Sequence, residues 1–123
     1  MAIPEADQIV TRFVAAWERA DVDELLGYFA EDAVWHPIPM QASVGKAALR
    51  QAMTRWLGET GQLGAEIHLQ IANGTTVMHE RTDRFTLGTQ ELALAVAAVF
   101  EIDNGLITAW REYFDMSPFV GGR

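Results

Sequence analysis

Between Thr76 and Leu87 the side chains alternate so that charged groups fall among apolar ones. At the two-residue period of a β-strand, Val77, His79, Arg81, Asp83, Phe85 and Leu87 share one face. Thr76, Met78, Glu80, Thr82, Arg84 and Thr86 fall on the other, a solvated or interface set. The segment 106–116 repeats the pattern, with Leu106, Thr108, Trp110, Glu112, Phe114 and Met116 on one face and Glu112 between two aromatics. Arg81, Asp83 and Glu112 are therefore expected to point into an apolar interior. An unpaired charge there costs several kcal/mol, so pairing is expected, and a guanidinium suits two carboxylates at once. Such a trio carries a net negative charge if both acids ionise, which favours one carboxyl keeping its proton. One protonated and one ionised carboxyl supply a general acid and a general base. The same trio could equally be a structural ion-pair network, and alternation alone does not separate the two.

Other chemistries find little support. His79 shares the charged face, either lining a pocket or hydrogen-bonded in the core. His36, His68 and His79 lie on three separate segments without metal-ligand spacing, so no metal is expected. With no cysteine, thiolate nucleophiles, disulfides and cysteine-based zinc or iron–sulfur sites are excluded. Neither glycine-rich phosphate-loop pattern occurs, and Ser43 and Ser117, the only serines, have no nearby base.

The elements that must position these groups are legible from period and punctuation. Pro4, Glu5 and Asp7 suit a first helical turn, and Ile9, Val10, Phe13, Val14 and Trp17 recur on one helical face. Asp21 with Glu24 predicts a capping box for a short second helix whose buried side is Leu25, Leu26, Tyr28 and Phe29. A short strand is expected over Ala33–His36, stopped by Pro37 and Pro39, and a third helix over Lys46–Leu57. The glycine-rich stretch 58–64 reads as a connection, followed by strands near 65–72, 75–87, 91–102 and 106–116. Asn73-Gly74 and Asp103-Asn104-Gly105 are hairpin signals. Helices followed by antiparallel strands predict an α+β fold, a curved sheet wrapped on its own N-terminal helices.

The 123 residues suit one domain, 1–123, and half are apolar, enough for one core. Nine Lys and Arg against 17 Asp and Glu give a net charge of −8, which disfavours nucleic acid and anionic membranes. Met1–Asp7 lacks the features of a secretory signal, and the longest apolar stretch, Leu92–Phe100, is too short to span a bilayer. A cytoplasmic protein is expected.

The whole chain resembles the SnoaL-like/NTF2-like superfamily, cone-shaped α+β barrels with a deep apolar pocket. More narrowly, His79-Glu80-Arg81-Thr82-Asp83 and Trp110-Arg111-Glu112-Tyr113-Phe114-Asp115 resemble the signature segments of limonene-1,2-epoxide hydrolases. Trp35 to Met40 through Gly45 also aligns without a gap. The resemblance implies a cofactor-independent hydrolase that adds water directly to a small apolar epoxide. It places the bridging arginine at Arg81, the general acid at Asp83 and the base, an aspartate in the family, at Glu112. The family's apolar lining falls at Phe85, Leu94, Val96, Trp110 and Phe114, with Trp35 and His79 as further candidates to position water or substrate, and a homodimer through the sheet is implied. The family's water-holding tyrosine and asparagine fall on Trp35 and Pro37; indole donates one hydrogen bond and the proline side chain none. A SnoaL-like cyclase, isomerase or dehydratase using the same acids, or a non-catalytic binding domain, are the alternatives.

Overall fold

The structure, a computed structural model, describes residues 5–119. Pro4 lies outside the described residues. Helix α1 runs Ala6–Trp17 and buries Ile9, Val10, Phe13 and Val14, the face its periodicity predicts. Helix α2, Val22–Leu26, is capped by the Asp21 carboxylate, which accepts from the Glu24 N–H at 3.2 Å. Only half of the capping box forms, because the Glu24 carboxylate pairs with Arg19 at 2.6 Å instead.

Strand β1 spans Phe29–Ile38 and is longer than expected at both ends. Phe29 leaves the second helix to open the strand, and the strand passes through Pro37. Only Val34 and Trp35 pair with the short β2, Ser43–Val44, so beyond them β1 is a sheet edge, where a residue without an N–H is tolerated. Helix α3 covers Lys46–Glu59.

Strand β3, Thr60–Asn73, begins inside the glycine-rich stretch read as a connection. It is irregular between Gly61 and Gly64, and a Cβ on Gly61 would stand 3.0 Å from Thr86 Oγ1. A larger residue there would require the Thr86 side chain to shift. A second irregularity, between Ile67 and Leu69, inserts His68 as an extra residue. It reverses the alternation: Leu69 and Ile71 turn outward, 54% and 62% exposed, and Gln70 pairs opposite His79.

Strands β4 (Thr76–Leu87), β5 (Gln90–Asp103) and β6 (Leu106–Tyr113) complete a six-stranded sheet of order β2-β1-β6-β5-β4-β3. All neighbours are antiparallel except β1 and β6. The β5–β6 turn carries Asn104 and Gly105 at φ of 54° and 80°, the two positive values a tight hairpin requires. Immediately after it, Ile102 pairs with Ile107 but Glu101 with Ala109, so β6 also contains a bulge. This corrects the face expected for its first half: Ile107 is buried and Leu106 is exposed, and the predicted alternation holds from Trp110 to Glu112. The strand ends at Tyr113, short of Met116, and the chain turns through a 3-10 segment, Ser117–Phe119.

The helices pack against the concave face of the sheet in an aromatic core. Phe13 meets Trp17, Tyr28, Phe29, Phe100 and Trp110 edge-on, with ring centroids 4.9–6.1 Å apart. A second cluster forms around Phe85, Leu94 and Val96. Among the described residues no helix is long and apolar enough to cross a membrane. Phe29 is fully buried between Phe13 and Trp110. Phe29→Ala is expected to cost about 3–5 kcal/mol, measured by urea unfolding; a loss below about 1 kcal/mol would show that the core closes over the gap.

Candidate active site

Glu112, Ala98 and His79 lie in one row across β6, β5 and β4, with Arg81 and Asp83 further along β4. The small Ala98 side chain leaves space above β5 through which the Arg81 guanidinium reaches Glu112. Arg81 Nε donates to Asp83 Oδ1 at 2.8 Å and its Nη2 to Asp83 Oδ2 at 3.1 Å, a two-point pairing. The same Nη2 donates to Glu112 Oε2, and Nη1 donates to His79 Nε2 at 3.0 Å. The other Glu112 oxygen, Oε1, accepts the Trp35 indole N–H at 2.9 Å. Arg81 and Glu112 are buried, whereas the Asp83 side chain keeps 20% of its surface exposed. Asp83 is thus the acid more open to an incoming molecule.

Burial is the largest influence on Glu112 and holds its pKa above the ordinary 4.5, with the Asp83 charge acting in the same direction. Arg81 and the Trp35 N–H oppose that rise. Burial, the largest influence on Arg81, would lower its pKa, but the two carboxylates outweigh it and hold Arg81 above its usual value. Burial, aided by the Arg81 charge, lowers His79 to about 4, so its imidazole is neutral at pH 7.

These groups stand in a cavity of about 510 Å³ between the helices and the sheet. Of the lining and positioning candidates, Trp35, Phe85, Leu94, Val96, Trp110 and Phe114 are on its wall. His79 is not. It is 4% exposed and lies beside the Arg81 guanidinium, which takes the place at the wall. The sequence reading missed Phe13, Trp17, Trp56, Leu63 and Phe119, which also line the cavity. Helical spacing marked Phe13 and Trp17 only as one helical face, and nothing in the sequence marked Phe119. Among the described residues, no three His, Asp or Glu side chains are grouped to hold a metal ion.

Residues 4–121 match the limonene-1,2-epoxide hydrolase catalytic domain. The chain belongs to that family. Over 113 residues it is 32% identical to epoxide hydrolase EphG of Mycobacterium tuberculosis (strain ATCC 25618 / H37Rv), spanning 92% of this chain and 75% of that protein. An LEH-like epoxide hydrolase structure from M. tuberculosis superposes with a TM-score of 0.81 at 32% identity, over 90% of this chain and 83% of the other. An NTF2-like protein of unknown function from Cytophaga hutchinsonii ATCC 33406, 16% identical, shares the fold over 98% of both chains, with a TM-score of 0.77.

Two residues of this limonene-1,2-epoxide hydrolase family member stand beside Glu112 on the adjoining strand. Trp35 commits its indole N–H to Glu112, and Pro37 lies in register with Glu112. The Trp35 ring stacks on Trp110 at 4.8 Å and 6°, which fixes the direction of its N–H.

The raised Glu112 pKa has a thermodynamic consequence. The folded state holds this proton more tightly than the unfolded chain, so the contribution is complete below about 4.5 and is lost as pH rises through the higher folded value. The stability of the protein minus that of Glu112→Gln should therefore fall as pH is raised from about 4 to about 8. Urea unfolding of both across that range measures it, and a difference that rises with pH would contradict the assigned direction.

Proposed function

We propose that this protein opens small, largely apolar epoxides by general acid and base catalysis, without a covalent intermediate. Asp83 donates its proton to the epoxide oxygen as the C–O bond lengthens. Glu112, ionised, takes a proton from the water that attacks the carbon. Arg81 spans both carboxylates and stabilises charge as it passes from one to the other. The proton removed from water ends on Glu112, and the proton lost by Asp83 ends on the diol, so transfer between the two acids restores the starting state. The observation that carries this reading is one guanidinium bonded to both acids at the wall of an apolar cavity.

A second reading rests on Trp35. Its N–H is used on Glu112 and Pro37 offers no hydrogen-bonding side chain, so neither is free to hold water. A hydroxyl carried by the substrate itself needs no such holder, and the same two acids would then close a cyclic ether. An epoxide panel with and without an internal hydroxyl, turned over once in heavy-oxygen water, decides between these. Labelled diol supports hydrolysis, unlabelled cyclic ether supports the second reading, and unlabelled diol refutes Glu112 as base by revealing a carboxylate nucleophile. Glu112→Gln should lower kcat by roughly 10²–10⁴-fold.

We also propose that the outer sheet face joins two copies of the chain. Ile71 and Met78 pair across β3 and β4 on this face, 62% and 54% exposed, beside Leu69 at 54%. Ile71→Lys with Met78→Glu should convert a dimer to a monomer in light scattering after size exclusion, and a monomeric parent protein would refute the interface.

A further inference from the structure

His79 is buried and ionisable, and it has no part in the proton transfers proposed above. Its hydrogen bonds are fixed from both ends. Arg81 has only donors, so His79 Nε2, 3.0 Å from Nη1, must accept. The Asp7 carbonyl has only acceptors, so the Gln70 group facing it at 3.2 Å must be the amide nitrogen, which also donates to Thr11 Oγ1 at 3.0 Å. Gln70 Oε1 therefore faces His79 Nδ1 at 2.9 Å, and that nitrogen carries the proton. Every link between helix α1 and the guanidinium has a single allowed direction.

We propose that His79, held as the Nδ1–H tautomer between Gln70 and Arg81, is a positioning residue that fixes the rotation of the Arg81 guanidinium toward Asp83 and Glu112. The neutral imidazole supplies an acceptor on the side of the guanidinium away from Asp83. With Nη1 so anchored, Nε and Nη2 are left for the carboxylates. A protonated imidazole could not accept there and would place a second cation beside Arg81. Burial and the Arg81 charge keep it neutral. Gln70 reaches this place only because the His68 bulge reverses the alternation of β3. The Phe100 ring, 5.3 Å from the imidazole, closes another side.

The catalytic consequence rests on the reading of Arg81, Asp83 and Glu112 as the reacting cluster, so the test has two arms. In the first, nitrogen-15 NMR of the histidine rings at neutral pH should show Nδ1 protonated and Nε2 unprotonated for His79. Gln70→Leu removes the acceptor of Nδ1–H and should shift the Nδ1 resonance, while Arg81 still requires Nε2 to accept. An Nε2–H tautomer in the parent protein overturns the proposal whatever the enzyme does. In the second arm, His79→Leu should lower kcat by roughly tenfold to 10²-fold, with KM changed less than about twofold. His79→Gln, which returns an acceptor near the lost Nε2, should recover most of that loss. If His79→Leu folds and retains full kcat, the positioning role is wrong. If the parent protein turns over no epoxide of either kind, the reaction assignment fails, and the tautomer arm still decides the hydrogen-bond chain.

Discussion

A guanidinium placed inside an apolar fold requires enough partners to make its burial tolerable, and that requirement at Arg81 organises this protein. Four of its five N–H groups meet Asp83, Glu112 and His79. Removing one acceptor would leave a buried cation short of a partner, far costlier than losing an exposed pair. The fold therefore brings together two strands, β4 and β6, around a single side chain, and Gln70 of β3 links His79 to helix α1. Burial that would be a penalty for separate charges here strengthens each attraction among them.

Two bulges make this possible. A strand with unbroken alternation would direct Leu69 and Ile71 inward and leave Gln70 on the outside. The extra residue His68 exchanges those faces, supplying His79 with its partner and leaving an apolar outer surface. In β6 the bulge beside Thr108 brings Ile107 into the core while Trp110 and Glu112 keep the inward phase. Each inserted residue thus sets which side chains at one end of its strand face inward.

The wall next to Glu112 is built from stacked aromatic rings. Tryptophan adds a large stacked surface, with Trp35 on Trp110 and Trp110 on Phe100, and its single donor stabilises the carboxylate directly. Glutamate, one methylene longer than aspartate, reaches both that indole and the guanidinium. Glu112 is thus enclosed by an indole donor on one oxygen and a guanidinium donor on the other.

The sequence by itself determined which faces are buried wherever alternation was unbroken. Arg81, Asp83 and Glu112 were legible because charged residues at period two among aromatics have no stable place except with one another. Helix α1, the Asn104-Gly105 turn and the α+β class were equally legible, since period and positive φ are local properties. Only the tertiary structure decided what depended on register. The bulges at His68 and Thr108 carry no composition signal, so the inward turn of Gln70 and the exposure of Leu69 and Leu106 followed from strand pairing alone. Pro37 suggested a strand end, yet β1 continues because its outer edge has no partner at that point. His79 shared the charged face but not the cavity wall, because a neighbouring guanidinium needed its lone pair. Alternation gives the face a side chain occupies; only packing decides which residue on that face reaches the cavity and which stands behind it.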